Sequence, residues 1–217
     1  MCNIKQYNED LTSSIIDSDL SSIPADILEI SIDQCINDGF LQDIPIVKTF
    51  VGIFKTGKNI QDLLFFNKLI EFLSNLKDVD VDKRRKMVAQ IDGSGQYQLK
   101  VGEKLLYILD RCEDHEKAGY IARLFKCFIN EEINYFYFNI IVDLVNNMPT
   151  AILQSFLSID IDAPHKIKRE MAELYIRYGL MYSAIHIQTV GPDGKIEDDN
   201  GAELTGVAII VHKLLNR

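Results

Sequence analysis

With 217 residues, 47% of them hydrophobic and 25% charged, the chain has the composition of an ordinary globular protein, which excludes wholesale disorder, a collagen-like repeat and a coiled coil. Its 23 basic and 32 acidic residues leave a net charge of -9, an excess that opposes nucleic acid and anionic membrane over the surface as a whole. The four cysteines, Cys2, Cys35, Cys112 and Cys127, have no regular spacing and are too sparse for a disulfide framework, so thiols in a reducing, cytoplasmic setting are expected.

Residues 1–24 are rich in Ser, Asp and Asn and end at Pro24, which predicts a flexible N-terminal arm. They show no basic region followed by an apolar one, so no secretory signal is read there. A helical domain is expected over 25–158. Its first helix carries Ile27, Ile30, Ile32, Cys35 and Ile36 and stops at Asn37-Asp38-Gly39, where the glycine can take a positive φ. Asp43 is then a plausible N-cap, with Pro45 in the first turn, where its missing amide hydrogen costs little.

In the helix after Pro45, Lys48, Gly52, Lys55 and Asn59 form a narrow polar or small stripe. Ile46, Val47, Phe50, Val51, Ile53 and Phe54 cover the rest, so the helix should be nearly surrounded by apolar contacts. Gly57 allows a bend into a second helix, 59–76, with Ile60, Leu63, Leu64, Phe66, Leu69, Ile70 and Leu73 expected inward. Lys48, Lys55, Lys58 and Asp62 break the apolar run too often for a conventional transmembrane helix.

Residues 83–91 read as a charged surface helix acting as a spacer, ended by Gly93-Ser94-Gly95. Helices over 101–111, 115–128 and 133–145 follow, packed antiparallel through short turns. Pro149 and the acidic run from Ser158 to Pro164 mark a boundary, and 159–217 is expected as a small α+β unit. In it a helix over 165–178 is capped by Gly179, and 183–190 alternates as a strand. Gly191-Pro192-Asp193-Gly194 supplies the turn of a hairpin, and a helix over 203–215 closes the chain. The predicted fold class is therefore mainly α, a helical bundle with a C-terminal α+β unit.

Cys112-Glu113-Asp114-His115 sets a thiol and an imidazole three residues apart, close enough on a helix to approach one metal ion. A closed site needs two further ligands, and Cys127, His186 and His212 form no second pair, so a surface turn is the better reading. Gly93-Ser94-Gly95 has neither the framing of a nucleophile elbow nor the Lys-Ser/Thr of a phosphate loop. The carboxylate pairs Glu131-Glu132, Asp160/Asp162 and Asp198-Asp199 fit caps and solvated turns. No catalytic residue, metal ligand or cofactor is assigned, and the chain reads as a non-enzyme.

Asp38-Gly39-Phe40-Leu41-Gln42-Asp43-Ile44-Pro45, with the helical hairpin after it, resembles a set of uncharacterised bacterial helical proteins that share an apolar segment beginning near D-I-P. That resemblance implies a helical bacterial domain and no particular activity. Tyr178-Gly179-Leu180 before a strand, the Gly191 to Gly201 loop and Leu204-Thr205-Gly206 opening the last helix resemble a winged helix-turn-helix. In such modules the recognition helix and wing touch nucleic acid. Here Asp193, Glu197, Asp198 and Asp199 outnumber Lys195 in the wing, a charge that opposes phosphate.

The function expected from these residues is a non-enzymatic interaction or regulatory module that binds a protein partner or a second copy of itself. One alternative is a membrane-active effector using the hydrophobic hairpin 44–73. Another is a nucleic-acid-binding regulator acting through the C-terminal unit, which the net charge disfavours. The residues expected to make contacts are Lys48, Lys55 and Lys58 on the hairpin and Lys166, Lys168, Arg169 and Arg177 in the C-terminal unit.

Overall fold

The computed structural model describes residues 4–24, 32–37, 39–57, 59–93, 100–184 and 201–216. Among them are eleven α-helices and one two-stranded antiparallel sheet, so the fold is mainly α, as expected. The chain forms two compact units, Met1–Phe138 and Asn139–Arg217.

The N-terminal segment expected as a flexible arm is a helix, α1 (Ile4–Asp17), and its Leu11 and Ile15 are fully buried. Tyr7, Leu11 and Ile15 recur every fourth residue, which gives a narrow apolar stripe on an otherwise polar helix. Averaged composition hides such a stripe. It packs against α3 (Pro45–Thr56), α5 (Val81–Gly93) and α6 (Val101–Arg111).

Helix α2 (Ile32–Asn37) precedes a tight turn in which Gly39 has φ 73° and Leu41 φ 59°. The expected positive φ at Gly39 is present; the start of the first expected helix lies outside the described residues. Helix α3 buries Ile46, Val47, Phe50, Val51 and Phe54. Its N-cap is Ile44, not Asp43, and Ile44 provides no side-chain cap. The Ile46 amide donates instead to Ser14 Oγ of α1 at 3.0 Å.

Asn59 caps α4 (Ile60–Ser74) by accepting from the Gln61 amide at 2.8 Å. Helix α4 lies along α7 (His115–Ile129), and Phe66 meets Phe50 and Phe54 with ring centroids 5.7 and 5.5 Å away. Phe66, Leu69, Ile70 and Leu73 are buried as expected, whereas Ile60 and Leu64 are 74% and 57% exposed. The apolar positions of α4 wrap more than one helical face, and among the described residues the face of Ile60 and Leu64 is left exposed.

Helix α5, read from sequence as a spacer, is an integral wall of this unit. Asp80 caps it through the Asp82 and Lys83 amides, and it buries Arg84, Met87, Val88 and Ile91. The 2% exposed Arg84 donates to the carbonyls of Ile15 at 2.7 Å and Ser18 at 3.2 Å, where α1 ends. The helices expected over 101–111, 115–128 and 133–145 appear as α6, α7 and α8 (Tyr135–Asn147). Asp114 caps α7 by accepting from the Lys117 amide at 2.8 Å, and Asp92 of α5 accepts the first amide of α6, that of Val101, at 2.9 Å.

The second unit contains α9 (Thr150–Leu157), a 3-10 turn at Pro164–Lys166, α10 (Arg169–Arg177), strands β1 (Met181–Ser183) and β2 (Ala202–Leu204), and α11 (Gly206–Leu215). Gly179 has φ 74° and turns the chain from α10 into β1. The strands pair Met181 with Leu204 and Ser183 with Ala202. Thr205 caps α11 by accepting from the Ala208 amide at 3.1 Å, while its hydroxyl donates to the Gly179 carbonyl. Of the strand expected over 183–190, Ser183 ends β1 and residues 185–190 lie outside the described residues, as do the turn at Gly191-Pro192-Asp193-Gly194 and the wing up to residue 200.

Candidate functional site

The residues expected to make contacts fall in both units, and each unit is described by itself. Lys48 and Lys55 are exposed on the outward face of α3 with Gly52 between them, and Lys58 lies outside the described residues. In the second unit, Lys166, Lys168 and Arg169 are exposed at the start of α10 and Arg177 ends it. Arg169 and Arg177 stand about 12 Å apart along the helix axis at 1.5 Å per residue.

The thiol and imidazole of the Cys112–His115 segment are not a reactive pair. Cys112 is buried and donates to the Ile108 carbonyl at 3.4 Å. Burial pushes its thiol up to about 12, against the smaller opposing effect of Lys68 and Lys117. A thiol held in that range is not a nucleophile near neutral pH. The buried Lys117 ammonium meets the more exposed Glu113 carboxylate at 3.1 Å, one turn away on the same stretch. Among the described residues no group of three or more His, Cys, Asp or Glu side chains is arranged to hold a metal ion.

A site that sequence reading missed lies in the first unit, where α1, α3, α4 and α6 converge around a groove of about 390 Å³. Phe50 forms its floor, with the Tyr7 and Phe65 rings 5.6 and 6.0 Å from it, centroid to centroid. Tyr107 and Leu106 of α6 and Ile4 of α1 line it as well. Ile4 is 54% and Tyr107 49% exposed. Asp62, Gln61 and Asp110 supply the polar lining.

The close approach of two backbones shapes this groove. A Cβ on Gly102 of α6 would lie 2.3 Å from Asn8 Oδ1 and 2.6 Å from the Asn8 carbonyl oxygen. With Asn8 and Thr12 against Gly102, and Ile4 and Tyr7 sharing the groove with Leu106 and Tyr107, α1 and α6 run in opposite directions. Lys68 of α4 donates to the Asp110 carbonyl at 3.2 Å and ties α4 to the end of α6. Among the described residues neither the Asp62 nor the Asp110 carboxylate has a hydrogen-bond or ion-pair partner.

One signal for the site was present in sequence. Val101, Leu105, Ile108 and Leu109 already form the buried stripe of α6, so Tyr107 falls on the opposite side as a large ring outside that stripe. Nothing in the sequence brings Ile4 and Tyr7 to it, because the polar composition of residues 1–24 predicts an arm.

A second cleft, about 300 Å³, lies between α5 and the turn from α7 to α8, lined by Met87, Gln90, Phe128 and Tyr135. Its charged lining residue, Glu131, pairs with Lys86 at 3.7 Å. Among the described residues no single helix is long and apolar enough to cross a membrane. Compared with protein-family models, with curated proteins and with solved structures, the chain matches none.

Proposed function

We propose that the chain is a non-enzymatic interaction module whose N-terminal helical unit docks a protein partner in the groove between α1, α4 and α6. The observation that supports this reading is an aromatic groove left open beside uncovered apolar side chains. Ile60 and Leu64, exposed on α4, flank the lining residues Gln61 and Phe65. Large apolar groups in water beside a concave aromatic floor are the surface features that partners cover. Selection of a random-peptide phage library on the full chain tests the reading. Enriched peptides should lose binding on Tyr107→Glu and on Leu64→Glu; enrichment that ignores both substitutions, or no enrichment, overturns it.

Exposure of Ile60 and Leu64 also supports a second reading, contact of the α3–α4 hairpin with a lipid surface. Flotation with vesicles of phosphatidylcholine and phosphatidylglycerol tests it, and a protein that stays at the bottom of the gradient disposes of it. For the C-terminal unit, the order α10, β1, β2, α11 together with exposed Lys166, Lys168 and Arg169 supports the winged-helix-like reading and, through it, contact with nucleic acid. The net charge of -9 weighs against that contact. A gel shift at low salt that persists after Lys166, Lys168, Arg169 and Arg177 are all changed to Gln would exclude those residues as its cause. A cytoplasmic bacterial setting is the context we propose for the module, on the resemblance of the segment 38–45 and the sparse cysteines.

A further inference from the structure

Resting on the partner-docking reading, the chemistry of the groove also specifies what the partner presents. Tyr7, Phe65 and Tyr107 line it, and the faces of such rings carry negative charge density. Two carboxylates, Asp62 and Asp110, line the same space, and neither is neutralised by a side chain among the described residues. The Lys68 ammonium donates to the backbone oxygen of Asp110 at 3.2 Å. An anionic occupant would be repelled by this set, and a neutral apolar one would strip water from two carboxylates without replacing its hydrogen bonds. A cation answers both features.

A free organic cation would leave exposed Ile4, Ile60 and Leu64 in water, whereas a peptide carrying apolar neighbours on either side of a basic residue would cover them. We propose that the groove receives a lysine or arginine side chain from an apolar segment of a partner protein. The methylene stem lies on Tyr7, Phe65 and Tyr107, and the charged head reaches the carboxylates of Asp62 and Asp110. A net charge of -9 on the whole chain assists the encounter of such a segment at low ionic strength.

Fluorescence anisotropy of the full chain with three labelled peptides tests this. The peptides share an alternating leucine frame and differ only in carrying arginine, glutamine or glutamate at the intervening positions. The arginine peptide should bind at least tenfold more tightly than the glutamine peptide. The double variant Asp62→Asn/Asp110→Asn should bring the two to equal affinity, while Asp160→Asn/Asp162→Asn, remote in sequence and in the other unit, should leave the preference intact. Circular dichroism verifies that each variant is folded.

Equal binding of the arginine and glutamine peptides to the unaltered chain, lost on Leu64→Glu, overturns the cationic occupant and leaves the docking groove standing. An arginine preference that survives Asp62→Asn/Asp110→Asn overturns it as well, since bulk charge then accounts for the preference. Arginine amide alone binding as tightly as the peptide overturns the peptide source. Failure of every peptide overturns the docking reading with it.

Discussion

The backbone amide of Ile46 donates to the hydroxyl of Ser14 at 3.0 Å, so the first turn of α3 is capped by a side chain from α1, thirty-two positions earlier. Pro45 has no amide hydrogen, Ile44 has no capping side chain, and Ser14 supplies the missing acceptor while its own hydroxyl donates to the Asp10 carbonyl at 2.7 Å. Thr49 extends the contact by donating to Asp10 Oδ2 at 2.6 Å. Two helices are joined by hydrogen bonds that neither could make alone.

Ser14→Ala leaves the buried Ile46 amide without an acceptor and should lower stability by about 1–2 kcal/mol, the cost of an unsatisfied buried donor at a helix start. Urea unfolding followed by circular dichroism measures it. Thr49→Ala, on the half-buried side of the same contact, should cost less. An unchanged midpoint in Ser14→Ala would show that the cap contributes nothing.

Arg84→Met should be more damaging, by about 2–4 kcal/mol, because the guanidinium makes charge-assisted bonds to two carbonyls at the end of α1. Burial lowers the proton affinity of Arg84, with Asp80 and Asp19 acting in the opposite direction. Its Nε is buried without a hydrogen-bond partner among the described residues, a cost already present in the folded state. Hydrogen exchange should show α1 losing protection before α7 in this variant; uniform loss across the unit would contradict the assignment of Arg84 to α1.

Gly102→Ala should destabilise the first unit by about 1–3 kcal/mol, since the added methyl meets the Asn8 backbone as well as two side chains. Trimming the side chain in an Asn8→Ala background should recover only part of the loss. The same displacement of α6 should weaken any ligand of the groove between α1 and α6. Thermal melts and peptide anisotropy read the two effects separately.

Cys112 should stay unreactive toward a thiol reagent at pH 8 until the chain unfolds, because burial keeps the thiol protonated in the fold up to about 12. In the unfolded chain the thiol ionises near 8.5. The folded state thus binds the proton more tightly: the contribution is whole below the unfolded value and is lost as pH rises from there toward the folded one. In that window stability should fall by up to about 1.4 kcal/mol per pH unit on account of this group. Other groups titrate there too, so the measurement is the difference in slope between the wild type and Cys112→Ala. Identical slopes would remove Cys112 as the cause.

Periodicity in the chain determined the helices at 101–111 and 115–129, the burial of Ile46, Val47 and Phe50 in α3, and the turns at Gly39 and Gly179, because helix and turn propensities act between near neighbours. Tertiary structure alone decided the rest. It buried Leu11, Ser14 and Ile15 of α1 although that helix is polar in composition, drew the cap of α3 from Ser14 and that of α6 from Asp92, made Arg84 an interior residue, and left Ile60 and Leu64 facing water. An apolar stripe states how much surface a helix can bury, but which stripe finds a covering neighbour depends on helices distant in sequence. Tyr7, Phe65, Tyr107, Asp62 and Asp110 became one groove only when the backbones of α1 and α6 met at Gly102.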